Sequence, residues 1–455
     1  MLWTAGRNQI LLSIWAQRRS EHDMPFAARV SQEIKKPHLQ IRGESSLCGE
    51  IKVSGAKNSA LVLMAAALLT DESLILNNVP ELTDIDGMSA ILQFMGVKLS
   101  RSQSSLQLNA NQIQHVEPPY DLVHGLRASF FCIGPLLGRL GKAKIPLPGG
   151  CRIGARPVAE HIKGLKALGA VVSVEHGVVS ASVPGLTRKL KGASVVLDCP
   201  SVGATETLLM ASVLANGTST IENAAQEPEV QDLANLLNQM GAKVVGAGGP
   251  TITVEGVEKL YGCNYTVIPD RIEAATFLLA AAITRSIITV KPIVPEHLNA
   301  VLQKLRDCGC ELRYENNSIT IYPGDIKGVD ITTQPFPGFP TDLQAPFMAL
   351  LATAQGTSVV TEKIYENRMQ HVAELERMGA CIRLQGNTAV IEGVPQLSAA
   401  PIFGTDLRAA AAMVLAGLAA KGTSQLEGLK HLDRGYENFE KKLNLAGANV
   451  LRHQK

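Results

Sequence analysis

The chain has 455 residues, 46% hydrophobic and 18% charged, too long for one hydrophobic core, so two domains and at most three are expected. With 43 basic against 41 acidic residues the net charge is +2, and aromatic residues make up only 4%. That balance argues against a polyanion-binding field or a base-stacking surface and hence against a nucleic-acid partner. Any bound anion must be held by a few placed Arg and Lys side chains.

At the N-terminus, Arg7, Arg18 and Arg19 flank the apolar stretch Ile10 to Ala16, and the first acidic residue is Glu21. Residues 1–37 read as a disordered extension, whose first 23 residues are a disordered tail, a stretch ahead of the real start at Met24, or an amphipathic transit segment. Elsewhere the longest apolar run, Ala409 to Ala420, has 12 residues, too few to span a bilayer. The cysteines at 48, 132, 151, 199, 263, 308, 310 and 381 form no Cys-x-x-Cys pair. Reduced thiols in a cytoplasmic protein without membrane insertion are expected. Cys308-Gly309-Cys310 matches no zinc spacing, so no metal is expected.

Ser54-Gly55-Ala56 leads into Lys57-Asn58 and then the apolar run Ala60 to Leu69. A glycine turn feeding a helix start exposes backbone N–H groups, and Lys57 adds a charge, so the segment can hold a phosphate. The alternative is a solvated lysine, because no Gly-x-x-x-x-Gly-Lys loop is present.

From there the chain is periodic. A helical pattern ends in Gly and a strand follows at Gly96, Gly169, Gly241, Gly309, Gly379 and Gly447, with spacings of 73, 72, 68, 70 and 68. Each glycine suits a helix end that turns through the left-handed region. Gly-Thr-Ser at 217, 356 and 422 follows Ala- and Leu-rich helices whose small residues predict burial and close approach. Each unit reads strand, helix, strand, helix and two strands. Six units of about 70 residues fill the α/β chain and favour closure into globular domains over an open solenoid.

The loops between the units carry reactive groups. In Pro148-Gly149-Gly150-Cys151, two glycines free the backbone and Arg152 and Arg156 follow, so Cys151 is either an activated thiol or an ordinary surface thiol. Arg127, Arg271, Arg368, Arg408 and Arg434 recur beside helix starts. Singly each reads as a structural ion pair. Together they point to a polyanionic ligand gripped by planar guanidinium groups. Asp342, in Phe339-Pro340-Thr341-Asp342, is a general-base candidate or a helix N-cap.

An ordered set of motifs carries a resemblance. Ser54 to Asn58, the Cys151 loop, Ser201-Val202-Gly203-Ala204-Thr205, Asn223-Ala224-Ala225, Pro269 to Glu273, Phe339 to Asp342, Glu366-Asn367-Arg368 and Asp433 to Tyr436 occur in that order. From His38 to the end the chain resembles the UDP-N-acetylglucosamine 1-carboxyvinyltransferase family of peptidoglycan synthesis. The resemblance implies two inside-out α/β barrels of three units each, residues 38–56 with 269–455 and residues 57–268, with the active site between them. It implies enolpyruvyl transfer from phosphoenolpyruvate to the 3′-hydroxyl of UDP-N-acetylglucosamine, with release of phosphate and without cofactor, by a chain read as a monomer. Lys57, Asn58, Arg156, Arg368, Arg408 and Arg434 match the phosphoenolpyruvate cage. Arg127, Pro157, Val158, Ser201, Val202, Gly203 and Ile364 match nucleotide-sugar contacts. Asp342 matches the residue that orients or deprotonates the 3′-hydroxyl, and Cys151 the proton donor that also forms a covalent adduct. Cys199-Pro200 and Met369 depart from residues found in some members. The related transferase acting on shikimate 3-phosphate lacks the cysteine loop. A non-catalytic UDP-sugar-binding regulator would not need Cys151, Asp342 and Arg434 together.

Overall fold

The computed structural model describes residues 36–147, 149, 153–154 and 157–454. The extension 1–35 and, in the cysteine loop, Cys151, Arg152 and Arg156 lie outside the described residues.

One unit illustrates the architecture. Strand Ser194–Val196 leads to helix Val202–Ser212, strand Thr218–Glu222, helix Pro228–Gln239 and strands Lys243–Val245 and Thr251–Glu255. In its sheet the first strand pairs parallel with the second, the second antiparallel with the fourth, and the fourth antiparallel with the third. Five four-stranded sheets share this order. At the helix ends Gly96, Gly169, Gly241, Gly309, Gly379 and Gly447 have φ between 90° and 102°, where a side chain is penalised. After five of them the next N–H reaches back five residues, as from Ala242 to the Leu237 carbonyl at 2.9 Å, closing the helix.

The unit beginning near Val116 departs from the expected pattern. Its sheet has three strands, and in place of a first strand only the Val116 carbonyl is met, by the Lys144 N–H at 3.0 Å. Pro118 and Pro119 follow after Glu117, and proline has no N–H to donate to a ladder.

Pairing between distant segments settles which parts pack together. Asn264–Thr266 lies parallel to Ser73–Asn77, and Glu50–Lys52 lies parallel to Ile288–Lys291. His38–Arg42 sits between Thr423–Glu427 and Val450–His453. Two buried hydrophobic clusters result. One gathers Leu39 to Val53 and Ile272 to Val450, the other Ala56 to Val267. Helices such as Arg271–Ile283 and Leu407–Ala419 are buried on nearly every side, and small residues permit this. A Cβ at Gly134 would lie 2.4 Å from the Thr207 carbonyl oxygen, so even alanine would overpack that crossing. No described helix is long and apolar enough to cross a membrane.

Candidate active site

The chain crosses twice between the clusters, and the crossings are tied together. Ala56 N–H donates to the Ile268 carbonyl at 2.7 Å and Asp270 N–H to the Ser54 carbonyl at 2.9 Å. Asp270 caps helix Arg271–Ile283, its Oδ1 accepting from Ile272 and Glu273 N–H at 2.8 and 3.0 Å. Its Oδ2 accepts from Lys57 N–H at 3.2 Å. One carboxylate thus joins two helix starts belonging to different clusters, where the dipoles of both favour a negative charge.

Lys57 is 8% exposed and opens helix Lys57–Ala66, with Asn58 exposed beside it. Its Nζ lies 3.0 Å from Asp84 Oδ2, and Asp84 Oδ1 accepts from Arg434 Nε at 2.8 Å. Burial pushes the Lys57 ammonium below its ordinary pKa, Asp84 opposes the fall, and the Arg408 and Arg434 charges add to it. For Asp84, burial raises the carboxyl but Lys57 and Arg434 prevail and hold it low.

Asp342 does not cap a helix. It lies in the turn Thr341–Leu343, and neither that turn nor helix Gln344–Leu351 has a side-chain cap. Its Oδ1 accepts from Arg368 Nη2 at 2.7 Å and its Oδ2 from Arg408 Nη2 at 2.9 Å. Burial would raise this carboxyl, but the two guanidinium groups override it and hold it well below the usual carboxylate range. Each arginine is itself fixed. Arg368 donates to Thr341 Oγ1 at 2.8 Å, and Arg408 lies 5.3 Å over the Tyr436 ring. Arg368 Nε and Arg408 Nη1 are buried and meet no acceptor among the described residues, so neither guanidinium is fully satisfied by the protein.

Glu362 sets the loop that carries Ile364 and Arg368. It accepts from Thr333 Oγ1 at 2.8 Å, Thr341 Oγ1 at 2.9 Å and Ile364 N–H at 2.7 Å. The same loop meets the flank of the cysteine loop, because Asn367 N–H donates to the Ile153 carbonyl at 3.0 Å.

Of the residues matched to the nucleotide sugar, all but Ile364, which lies on the Glu362 loop, belong to the part of the chain between Ala56 and Val267. Arg127 opens the 3-10 helix Arg127–Cys132, and Pro157 and Val158 precede helix Ala159–Ala167. Ser201 caps Val202–Ser212, and a Cβ at Gly203 would lie 3.0 Å from His161 Nε2. Burial and then the Arg127 charge push His161 down to about 4, so this neighbourhood holds a neutral imidazole.

Arg271 is engaged elsewhere. It forms a two-pronged ion pair with Glu229, at 3.0 and 3.2 Å, spanning the two clusters. Three groups that organise the site escaped the sequence reading: Asp84, Asp270 and Glu362. Asp270 stands in a quoted motif, but Asp84 resembles any acid in a first helical turn, and only the fold brings Arg434, 350 residues away, against it. Among the described residues no group of three His, Cys, Asp or Glu side chains is arranged to hold a metal ion. Burial pushes the thiols of Cys308 and Cys310 up to about 12 and about 11.

Comparison with known proteins adds to this geometry. The model of the EPSP synthase (3-phosphoshikimate 1-carboxyvinyltransferase) family matches residues 41–443. The UDP-N-acetylglucosamine 1-carboxyvinyltransferase of Prochlorococcus marinus (strain MIT 9313) is 75% identical over 431 residues, covering 95% of this chain and 99% of that one. The protein of the same name from Synechococcus sp. (strain CC9605) is 69% identical over 431 residues, covering 94% and 100%. Among solved structures, the enolpyruvyl transferase NikO from Streptomyces tendae superposes with a TM-score of 0.83 at 24% identity, covering 92% of this chain and 99% of that one. EPSP synthase from Acinetobacter baumannii superposes with a TM-score of 0.73 at 20% identity, covering 92% and 100%. These two share the mixed α/β fold. With the family model matching most of its length and relatives this close along nearly all of it, the chain belongs to the EPSP synthase family and, within it, to the UDP-N-acetylglucosamine 1-carboxyvinyltransferases.

Proposed function

We propose that the chain transfers the enolpyruvyl group of phosphoenolpyruvate to the 3′-hydroxyl of UDP-N-acetylglucosamine and releases phosphate, a step of peptidoglycan synthesis. The observation that carries the reading is the gathering of four cations, Lys57, Arg368, Arg408 and Arg434, around two carboxylates where the hydrophobic clusters meet. Even with the nearby Asp270 counted beside Asp84 and Asp342, the four cations leave a net positive charge, which suits a small acid that carries both a phosphate and a carboxylate.

In this scheme the two clusters are the cores of two inside-out barrels of three units each, 38–56 with 269–455 and 57–268, with the substrates held between them. The sheet orders and the two clusters support that division. Lys57, Asn58, Arg156, Arg368, Arg408 and Arg434 hold phosphoenolpyruvate. Arg127, Pro157, Val158, Ser201, Val202, Gly203 and Ile364 hold the nucleotide sugar. The sugar oxygen loses its proton toward Asp342 and bonds to the substituted carbon, while Cys151 gives a proton to the methylene carbon. A tetrahedral ketal results. Expulsion of phosphate, with loss of a proton from the new methyl group, regenerates the double bond on the sugar ether. Paired with two arginines, Asp342 is a weak base. Substrate oxygens drawing on the charges of Arg368 and Arg408, without moving them, weaken their hold on Asp342 and raise its basicity as the hydroxyl arrives. The reading needs no metal or organic cofactor and describes a cytoplasmic monomer.

Phosphate release from phosphoenolpyruvate tests it with two acceptors. Release is expected with UDP-N-acetylglucosamine and not with shikimate 3-phosphate. The reverse pattern would assign the other transfer, and no release with either, together with UDP-sugar binding, would make the chain a non-catalytic binder.

A further inference from the structure

Asp84 lies in the first turn of helix Thr83–Phe94, its side chain 8% exposed. Its two oxygens serve cations from the two clusters, Lys57 at 3.0 Å from its own and Arg434 at 2.8 Å from the other. The backbone around it docks in the same direction. Thr83 N–H and Oγ1 both approach the Asp433 carbonyl at 3.4 Å, and Glu437 accepts from Glu81 N–H at 2.6 Å and from Ser54 Oγ. Arg452 holds the Asp433 carboxylate at 2.7 and 3.0 Å, which steadies the turn carrying Arg434.

We infer that Asp84 is a positioning residue for the transfer: it aims Arg434 across the interface and keeps Lys57 charged against burial and the two arginines, so that docking of the two parts completes the cationic phosphate site. The inference rests on the reaction proposed above. Lys57 is buried, and burial favours the neutral amine. Arg408 and Arg434 push the same way, and Asp84 is the carboxylate that opposes them. The other charged groups around helix Lys57–Ala66 act differently. Asp270 binds the Lys57 backbone N–H, Asp232 of helix Pro228–Gln239 is engaged by Ser59 and Tyr265, and Arg127 opens the neighbouring 3-10 helix. Among the described residues Asp84 is the only ion-pair partner of the Lys57 ammonium. Removing its charge lowers the Lys57 pKa further and leaves Arg434, 42% exposed, without the acceptor that aims it.

The test is kcat/KM for phosphoenolpyruvate against pH, at saturating UDP-N-acetylglucosamine, in wild type, Asp84→Asn and Asp84→Glu. For Asp84→Asn the alkaline limb should move to lower pH by about one unit and KM for phosphoenolpyruvate should rise about tenfold, with KM for the nucleotide sugar changed less than about twofold. Asp84→Glu keeps the charge and shifts its position, so the limb should stay and KM for phosphoenolpyruvate should rise by a few-fold. An Asp84→Asn limb superimposable on wild type, or equal rises in both KM values, would overturn the inference. Should Asp84→Asn fail to fold, Asp84→Glu decides alone, and an unchanged KM for phosphoenolpyruvate would count against the role. Loss of all activity in wild type would remove the proposed reaction instead, so the two failures are distinguishable.

Discussion

The two carboxylates of the site are served alike and held differently. Asp342 grips Arg368 and Arg408 from within one hydrophobic cluster, and both arginines are at most 5% exposed. Asp84 joins Lys57 to Arg434 across two clusters, and Arg434 is 42% exposed. The first group is preorganised whether or not the two parts are docked. The second exists only while they touch. Breaking a buried pair strands a charge and costs about 3–5 kcal/mol, whereas a half-exposed pair contributes about 0–1 kcal/mol to stability. The Asp342 group is therefore a fixed floor, and the Asp84 group is a contact that substrate binding can adjust.

In the proposed transfer neither group supplies the proton for the methylene carbon, and the largest effect is expected where that proton is proposed to originate. Cys151→Ser should leave no measurable turnover, while binding of UDP-N-acetylglucosamine persists. Fosfomycin should alkylate Cys151, read as a mass increase on its peptide. Turnover retained in the variant, or an unmodified peptide from inactivated protein, would assign the proton to another group and place the chemistry within the two carboxylate groups.

Next in size is Asp342→Asn. The amide cannot accept a proton and no longer neutralises two buried guanidinium groups, so kcat should fall by about 10²–10⁴. Thermal unfolding should also drop, because the stranded charges cost about 3–5 kcal/mol. The pH dependence of wild-type stability sharpens this. The Asp342 carboxyl is held well below its unfolded value, so its contribution is complete above the unfolded carboxylate pKa and is lost as pH falls through the folded one. Asp342→Asn should flatten that acid limb. A variant as stable as wild type at neutral pH would mean the arginines find other acceptors and the floor is not fixed.

This division also marks what the sequence could disclose. The six glycines were legible because each stands where a backbone with positive φ penalises a side chain, and such a demand leaves a periodic trace in the chain. Of the five arginines read beside helix starts, Arg368, Arg408 and Arg434 meet the carboxylates of the site, whereas Arg271 pairs with Glu229. These pairings were not legible. Asp342 also had a local reading as a cap, and only the fold, which sets it against Arg368 and Arg408, removes that reading. Strand Asn264–Thr266 pairs with Ser73–Asn77, far earlier in the chain, a registration that no local pattern encodes. The missing first strand near Val116 could have been read from Pro118 and Pro119, had the repeat not invited a sixth identical unit. Local conformational demands are written locally, and ion pairs between parts are not.

The smallest expected effect separates the two groups most cleanly. Arg434→Lys keeps a positive charge but gives up the planar fork, so the Nε contact to Asp84 is lost while a cation remains near the phosphate site. KM for phosphoenolpyruvate should rise by about three- to tenfold with kcat little changed, because the loss falls on binding. Salt provides the second axis. The Arg434 pair is partly exposed and screened within about 8–10 Å at ordinary ionic strength, whereas Arg368 and Arg408 are buried with Asp342 and screened much less. Raising ionic strength should therefore weaken phosphoenolpyruvate binding in wild type more than in Arg434→Lys, leaving the two closer together at high salt. If Arg434→Lys instead lost as much kcat as Asp342→Asn and did so at every ionic strength, the interface pair would be as rigid as the buried one, and docking would not govern the charge of the site.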